Sequence, residues 1–267
     1  MKKLLSVLLS CVMCSSLMLT ACDAAPEEPS GGDIQAPIEE IITGRWITSE
    51  IDGEPALTND MLAFNVVSPT EAYTSISLTS GSRPMWHEPS LTDFAIDGNV
   101  ITFTNYPPSG ASIERAYTIT DISENEFTAN LVVTHTQDGE SEVTRENVFT
   151  FVRSDDDFSS DIIGTWEGSC TSERSVFDDG QPHRWEYHDD GTYVYYVQNG
   201  EEWVAHNDGD YFVNGTLLCT RWFTGADDNR EWWEITIDGD TMSWTALRAN
   251  FDGSTFTATF EMTRVAE

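Results

Sequence analysis

The sequence predicts an all-β protein: two tandem eight-stranded antiparallel up-and-down barrels, following a cleaved signal and a disordered tether. Three observations carry this. Asp-Gly and Asn-Gly pairs recur along the chain, among them Asp97-Gly98, Asp138-Gly139, Asp179-Gly180, Asn199-Gly200, Asp208-Gly209 and Asp238-Gly239. Such pairs suit the positive φ angles of tight hairpins. The segments between them alternate apolar and polar residues, and helical periodicity is essentially absent. Segment ends also repeat: Ile42-Thr43-Gly44-Arg45-Trp46 returns as Ile163-Gly164-Thr165-Trp166, and Phe149-Thr150-Phe151-Val152-Arg153 returns as Phe260-Glu261-Met262-Thr263-Arg264. Close turns link neighbouring strands into a meander, and eight such strands close into a barrel that leaves no exposed edge.

The chain opens with Lys2 and Lys3, then a largely apolar run to Leu19, then Thr20-Ala21-Cys22. A basic start, a short apolar core and small residues before a cut site describe an export signal. The apolar run is shorter than the roughly 20 residues of a spanning helix. Leu19-Thr20-Ala21-Cys22 resembles the bacterial lipobox. That resemblance implies cleavage after residue 21, acylation of Cys22 and attachment to a membrane of the cell envelope; Asp23 leaves the membrane and its face undecided. Residues 22–40 then read as a lipidated, flexible tether, rich in Pro, Gly and acidic side chains and without a basic one.

The 267 residues carry 46 acidic and 13 basic side chains, a formal net charge of −33. Such a surface repels nucleic acid, which is excluded as a partner. The membrane is reached only through the lipid on Cys22, and protein partners are not indicated. In the exported part Cys170 and Cys219 remain, and the sequence leaves open a disulfide between them or two buried free thiols.

The predicted blocks run 41–153 and 162–267, joined by an acidic linker at 154–161. Strands are expected near 44–50, 61–67, 71–79, 91–97, 99–104, 113–121, 125–135 and 142–153 in the first block. In the second they are expected near 164–172, 184–189, 191–198, 208–213, 215–223, 230–238, 240–247 and 254–264. In the final strand Phe256, Ala258, Phe260, Met262 and Arg264 share one face with period two. Arg264 therefore sits on the inward face, where a charge needs a partner. A barrel's last strand pairs with its first, which brings Arg264 to Trp166 and, in the first block, Arg153 to Trp46. A shielded guanidinium on indole is worth about 1–2 kcal/mol. Gly44 and Gly164 let the chain enter its strand tightly.

Gly44, Trp46 and Arg153, repeated as Gly164, Trp166 and Arg264, resemble the floor of the lipocalin (calycin) superfamily. That resemblance implies an opening turn of 3₁₀ helix before each Gly, an Arg packed across each Trp, and a cup for a small apolar or amphipathic ligand. The blocks look most like the short lipocalin-like domains of bacterial lipoproteins. They are shorter than a secreted lipocalin and show no separate packing helix, which bears on how roomy a cup could be.

The second block is unusually aromatic, and Tyr193, Tyr195, Trp203, Trp222, Trp233 and Trp244 are the candidate ligand-lining residues. The same rings could instead fill the barrel as solid core. The adjacent pairs Trp232-Trp233 and Tyr195-Tyr196 must send one member outward, towards an interface between the blocks or a partner. His183, His188 and His206 lack the spacing of a zinc site and are expected in solvated loops or at strand ends. No metal site and no cofactor is predicted. Nucleophile elbows, His-Glu-x-x-His and phosphate-binding glycine loops are missing, so the expectation is a binding module without catalysis. The alternative is a structural or protein-interaction scaffold with filled barrels.

Overall fold

The structure is a computed structural model that describes residues 38–77, 84–85, 92–107, 109–170 and 181–266. The signal, Cys22 and the tether up to residue 37 lie outside the described residues, as do Trp86 and the Asp179-Gly180 pair. The chain is all-β and forms the two antiparallel barrels that the turn pattern predicts.

The first barrel is built from β1 (Gly44–Ile51), β3 (Ala63–Ser68), β4 (Glu71–Ser77), β6 (Thr92–Asp97), β7 (Val100–Asn105), β8 (Ser112–Ile122), β9 (Glu126–Gln137) and β10 (Glu140–Ser154). Two short strands, β2 (Glu54–Pro55) and β5 (Pro84–Met85), attach to β1 and β4. Hydrogen-bonded neighbours run β5-β4-β3-β1-β10-β9-β8-β7-β6, so the seam lies between β4–β5 and β6. The second barrel comprises β11 (Gly164–Cys170), β12 (His183–Tyr187), β13 (Thr192–Asn199), β14 (Glu202–Asn214), β15 (Leu217–Thr224), β16 (Asp227–Asp238), β17 (Thr241–Ala249) and β18 (Thr255–Arg264), and it closes fully.

Turn chemistry explains most of the meander. Gly53, Gly98, Gly139, Gly191, Gly200, Gly215, Gly239 and Gly253 all take positive φ in turns. The Asp208-Gly209 pair departs from the expectation. It lies inside β14, opposite Tyr193, and no turn forms there. A Cβ at Gly209 would collide with the carbonyl oxygen of Arg221 on β15. Glycine serves close backbone packing here, another of its uses.

The two floors repeat each other. Trp46 pairs with Arg153 and Trp166 with Arg264 in the first-to-last strand ladders. Each indole is fully buried and donates from Nε1 to the carbonyl oxygen four residues earlier: Trp46 to Ile42 at 2.6 Å, Trp166 to Ile162 at 2.7 Å. Gly44 and Gly164 sit at φ +124° and +126°. The turns before them differ from the 3₁₀ expectation. The amide of Ile42 bonds Ile38 and that of Ile162 bonds Phe158, an α-type spacing of four that begins at Ile38 rather than Ile41.

Alternation fills the first barrel with Trp46, Phe64, Phe103, Tyr117, Phe127, Phe149 and Phe151. Phe127 meets Trp46 edge-on at 4.8 Å and stacks on Phe151 at 4.7 Å. Between the barrels lies a third apolar cluster of Ile47, Ala56, Met61, Ala63, Leu217, Cys219 and Trp232. Trp232 is the outward member of its pair, as period two requires, and its neighbour Trp233 belongs to the interior. The same parity decides between the two states that the sequence leaves open for the cysteines. Cys170 and Cys219 are buried free thiols: Cys170 faces the second barrel's interior, whereas Cys219 faces outward into the contact with the first.

One element of the first barrel enters the wall of the second. The β16–β17 ladder stops at Glu234–Thr245. Beyond it the 3₁₀ turn Thr58–Asp60 takes the place of a strand partner. Asn59 Oδ1 accepts from the Trp232 amide at 3.0 Å and from Arg248 Nη1 at 2.8 Å, while Thr58 Oγ1 accepts from the Leu247 amide at 2.8 Å. Backbone groups that the split ladder would leave buried and unpaired are thereby satisfied.

Candidate site: an aromatic cavity in the second barrel

Inward positions of β12 to β17 converge on a cavity of about 250 Å³. Its apolar wall is Trp185, Tyr193, Tyr195, Trp222, Trp233 and Trp244, and its polar groups are His206, Asn207, Thr220 and Glu231. Five of the six residues that the sequence nominates, Tyr193, Tyr195, Trp222, Trp233 and Trp244, therefore meet at one site.

Trp203 does not join them. It lies against the guanidinium of Arg184, 4.5 Å from the ring centre. The cause is a bulge in β14. Tyr195 pairs with Asn207 but Tyr196 pairs with Ala205, so His206 is an extra residue. A bulge breaks the period-two count along a strand. Asn207 keeps the inward parity, and Trp203 turns to the outer face that carries Arg184 and Tyr196.

The rings hold one another in place. Trp185 stacks on Tyr195 at 4.9 Å, meets Trp244 at 4.7 Å and abuts the edge of Phe260 at 5.2 Å. Trp233 packs on Trp244 at 5.5 Å. His183 sits beneath them, contrary to the expectation of a solvated strand end. It is only 3% exposed, and its Nδ1 shares a 2.8 Å hydrogen bond with the Tyr195 hydroxyl. Period two on the short strand β12 places His183 on the same face as Trp185 and Tyr187, all three buried.

Arg248 ties the wall to the first barrel. Its guanidinium lies 4.9 Å from the Trp233 ring centre, and Nη2 donates to Glu231 Oε1 at 3.0 Å and to the Trp232 carbonyl at 2.7 Å. Burial pushes its pKa down and Glu231 pulls it back up. Around Tyr193 the field is negative. Burial raises its phenol pKa most, and the carboxylates of Glu231, Asp208 and Asp210 raise it further.

Two buried polar atoms at the cavity have no hydrogen-bond partner among the described residues: Asn207 Oδ1 and Trp244 Nε1. A buried unmet donor or acceptor costs about 1–3 kcal/mol. Sequence reasoning nominated neither Asn207 nor Glu231, nor Trp185. The i, i+2 spacing of Glu231 and Trp233 was the available signal for Glu231. A hollow of about 890 Å³ adjoins the cavity and shares Tyr193, His206 and Asn207 with it. Among the described residues no group of three His, Cys, Asp or Glu side chains gathers as a metal site.

No known protein family matches the chain, and no curated protein does. Among solved structures it is similar to a protein of unknown function from the DUF3598 family of Nostoc punctiforme. The identity is 10% over 87% of this chain and 100% of that one, with a TM-score of 0.24. It is also similar to a variant of the vaccine antigen transferrin binding protein B from Haemophilus parasuis, at 8% identity over 77% of this chain and 54% of that one, with a TM-score of 0.25. At these scores neither likeness bears on function.

Proposed function

We propose that the protein is a non-catalytic binding module of the bacterial envelope, lipid-anchored through Cys22, whose second barrel holds a small ligand. The Gly-Trp-Arg floors support placing both barrels with the lipocalins. The observation that carries the binding reading is the cavity itself, about 250 Å³ of space walled by six aromatic rings and edged by His206, Asn207, Thr220 and Glu231. A solid core would leave no such space between its rings. The volume, about 250 Å³, favours a compact molecule over a fatty acid, a sterol or a tetrapyrrole, since sites for drug-sized ligands begin near roughly 300 Å³.

Tryptophan emission and melting temperature, followed across a library of small amines, alcohols, acids and heterocycles, test this reading. A ligand that changes both, and that loses its effect in Asn207→Leu, supports it. An unresponsive protein across the library overturns it. Anchoring is tested separately: Cys22→Ser releases the protein from the membrane fraction if the lipid holds it.

A further inference from the structure

We propose that the second barrel's cavity selects a small organic cation, a protonated amine carrying a compact apolar body. The inference rests on the reading of this cavity as a ligand site.

Four features converge. The wall is made of indole and phenol rings, whose faces attract a desolvated cation electrostatically. Among the described residues the one carboxylate on the lining is Glu231, and neither lysine nor arginine is part of it. Arg248, the partner of Glu231 Oε1, is not among the lining side chains. Second, the side chain of Asn207 lines the cavity and its amide oxygen has no partner among the described residues, so a small rotation offers an acceptor to an ammonium N–H. Third, Asp208 and Asp210 line the adjoining hollow that shares Tyr193, His206 and Asn207 with the cavity, so the neighbouring surface is negative. Fourth, the chain as a whole carries −33, which draws cations and repels anions.

An anionic guest meets the opposite at every point. Its charge would face Glu231 and the π faces. A neutral guest of the same shape would gain the packing but not the charge terms.

Three probes of nearly one shape separate these cases at neutral pH: benzylammonium, benzyl alcohol and benzoate, each titrated calorimetrically into the full chain. Benzylammonium is expected to bind about tenfold more tightly than benzyl alcohol, with benzoate weakest, as a shielded cation–π contact allows. Added salt should weaken benzylammonium and leave benzyl alcohol unchanged. Glu231→Gln should erase the preference for the cation. Because it also removes the carboxylate bonded to Arg248, Asn207→Leu serves as a second variant and should weaken benzylammonium with the Glu231–Arg248 pair intact. If benzyl alcohol or benzoate binds as well as benzylammonium, the cation inference falls while the binding site stands. If none of the three binds, the cation inference falls, and the library screen decides the site by itself.

Discussion

Arg264 lies 4.1 Å over the Trp166 ring while its two terminal nitrogens each hold a carbonyl of the turn below, Ile163 and Asp161, both at 2.6 Å. Arg153 repeats the arrangement over Trp46 at 4.3 Å, donating to Thr43, Ile41 and Glu124. One side chain thus closes the ladder, covers an indole and satisfies the end of a helical turn. Arg264→Ala should destabilise the second barrel by about 3 kcal/mol, combining lost charged hydrogen bonds and a lost cation–π contact. Arg264→Lys keeps the charge but not the fork and should recover less than half. Urea unfolding checks both, and a loss below about 1 kcal/mol for the alanine variant would contradict this role.

The glycines of the floors are equally constrained. A Cβ at Gly164 would strike Arg264 Nη1, and the backbone there sits at φ +126°. Gly209 has ordinary backbone geometry but meets rigid backbone. Gly209→Ala is therefore expected to cost about 2–3 kcal/mol through displaced strands, a typical penalty for overpacking. Because Gly209 pairs with Tyr193, its variant should also change the near-ultraviolet dichroism of the cavity rings. An unchanged spectrum would speak against close packing at this point.

The turn Thr58–Asp60 predicts coupling between barrels. Asn59→Ala removes the acceptor of the Trp232 amide and of Arg248 Nη1 at once. A loss of about 2–3 kcal/mol is expected, since both donors are left buried and unmet. Hydrogen exchange should localise it to 231–234 and 246–249 in the second barrel. Exchange that speeds up only near residue 59 would show that the wedge supports its own barrel alone.

Buried phenols set the alkaline limit. Burial pushes Tyr117 up to about 12, and Tyr187 and Tyr193 are raised as well. A raised native pKa means the folded state holds protons that the unfolded chain releases near its ordinary value of about 10. The stability tied to these groups is full below pH 10 and is lost as pH climbs towards 12. Phenolate absorbance from Tyr117, Tyr187 and Tyr193 should therefore rise together with loss of strand dichroism. Their ionisation with the strands still intact would refute the assignment.

Legibility followed locality. The floors could be read because Gly, Trp and Arg recur at block ends and a barrel joins first strand to last. Trp232-Trp233 could be read because adjacent strand residues must diverge. Trp203 could not, because the bulge at His206 depends on how β14 registers against β13, and no residue type announces it. Nor could the wedge: Asn59 meets Trp232 and Arg248 far along the chain. The state of Cys170 and Cys219 could not be read either, because it depends on which face of the barrel wall each thiol takes.

Cys219 gives the joint between the barrels a built-in clock. Its thiol is fully shielded by the apolar cluster that includes Ile47, Met61 and Trp232, and burial raises its pKa well above the ordinary value. A disulfide reagent can reach it only while the two halves part. The labelling rate of this one sulfur then times how often the joint breathes, without any engineered probe. Cys170, enclosed in the other compartment, keeps separate time for the opening of the second barrel itself.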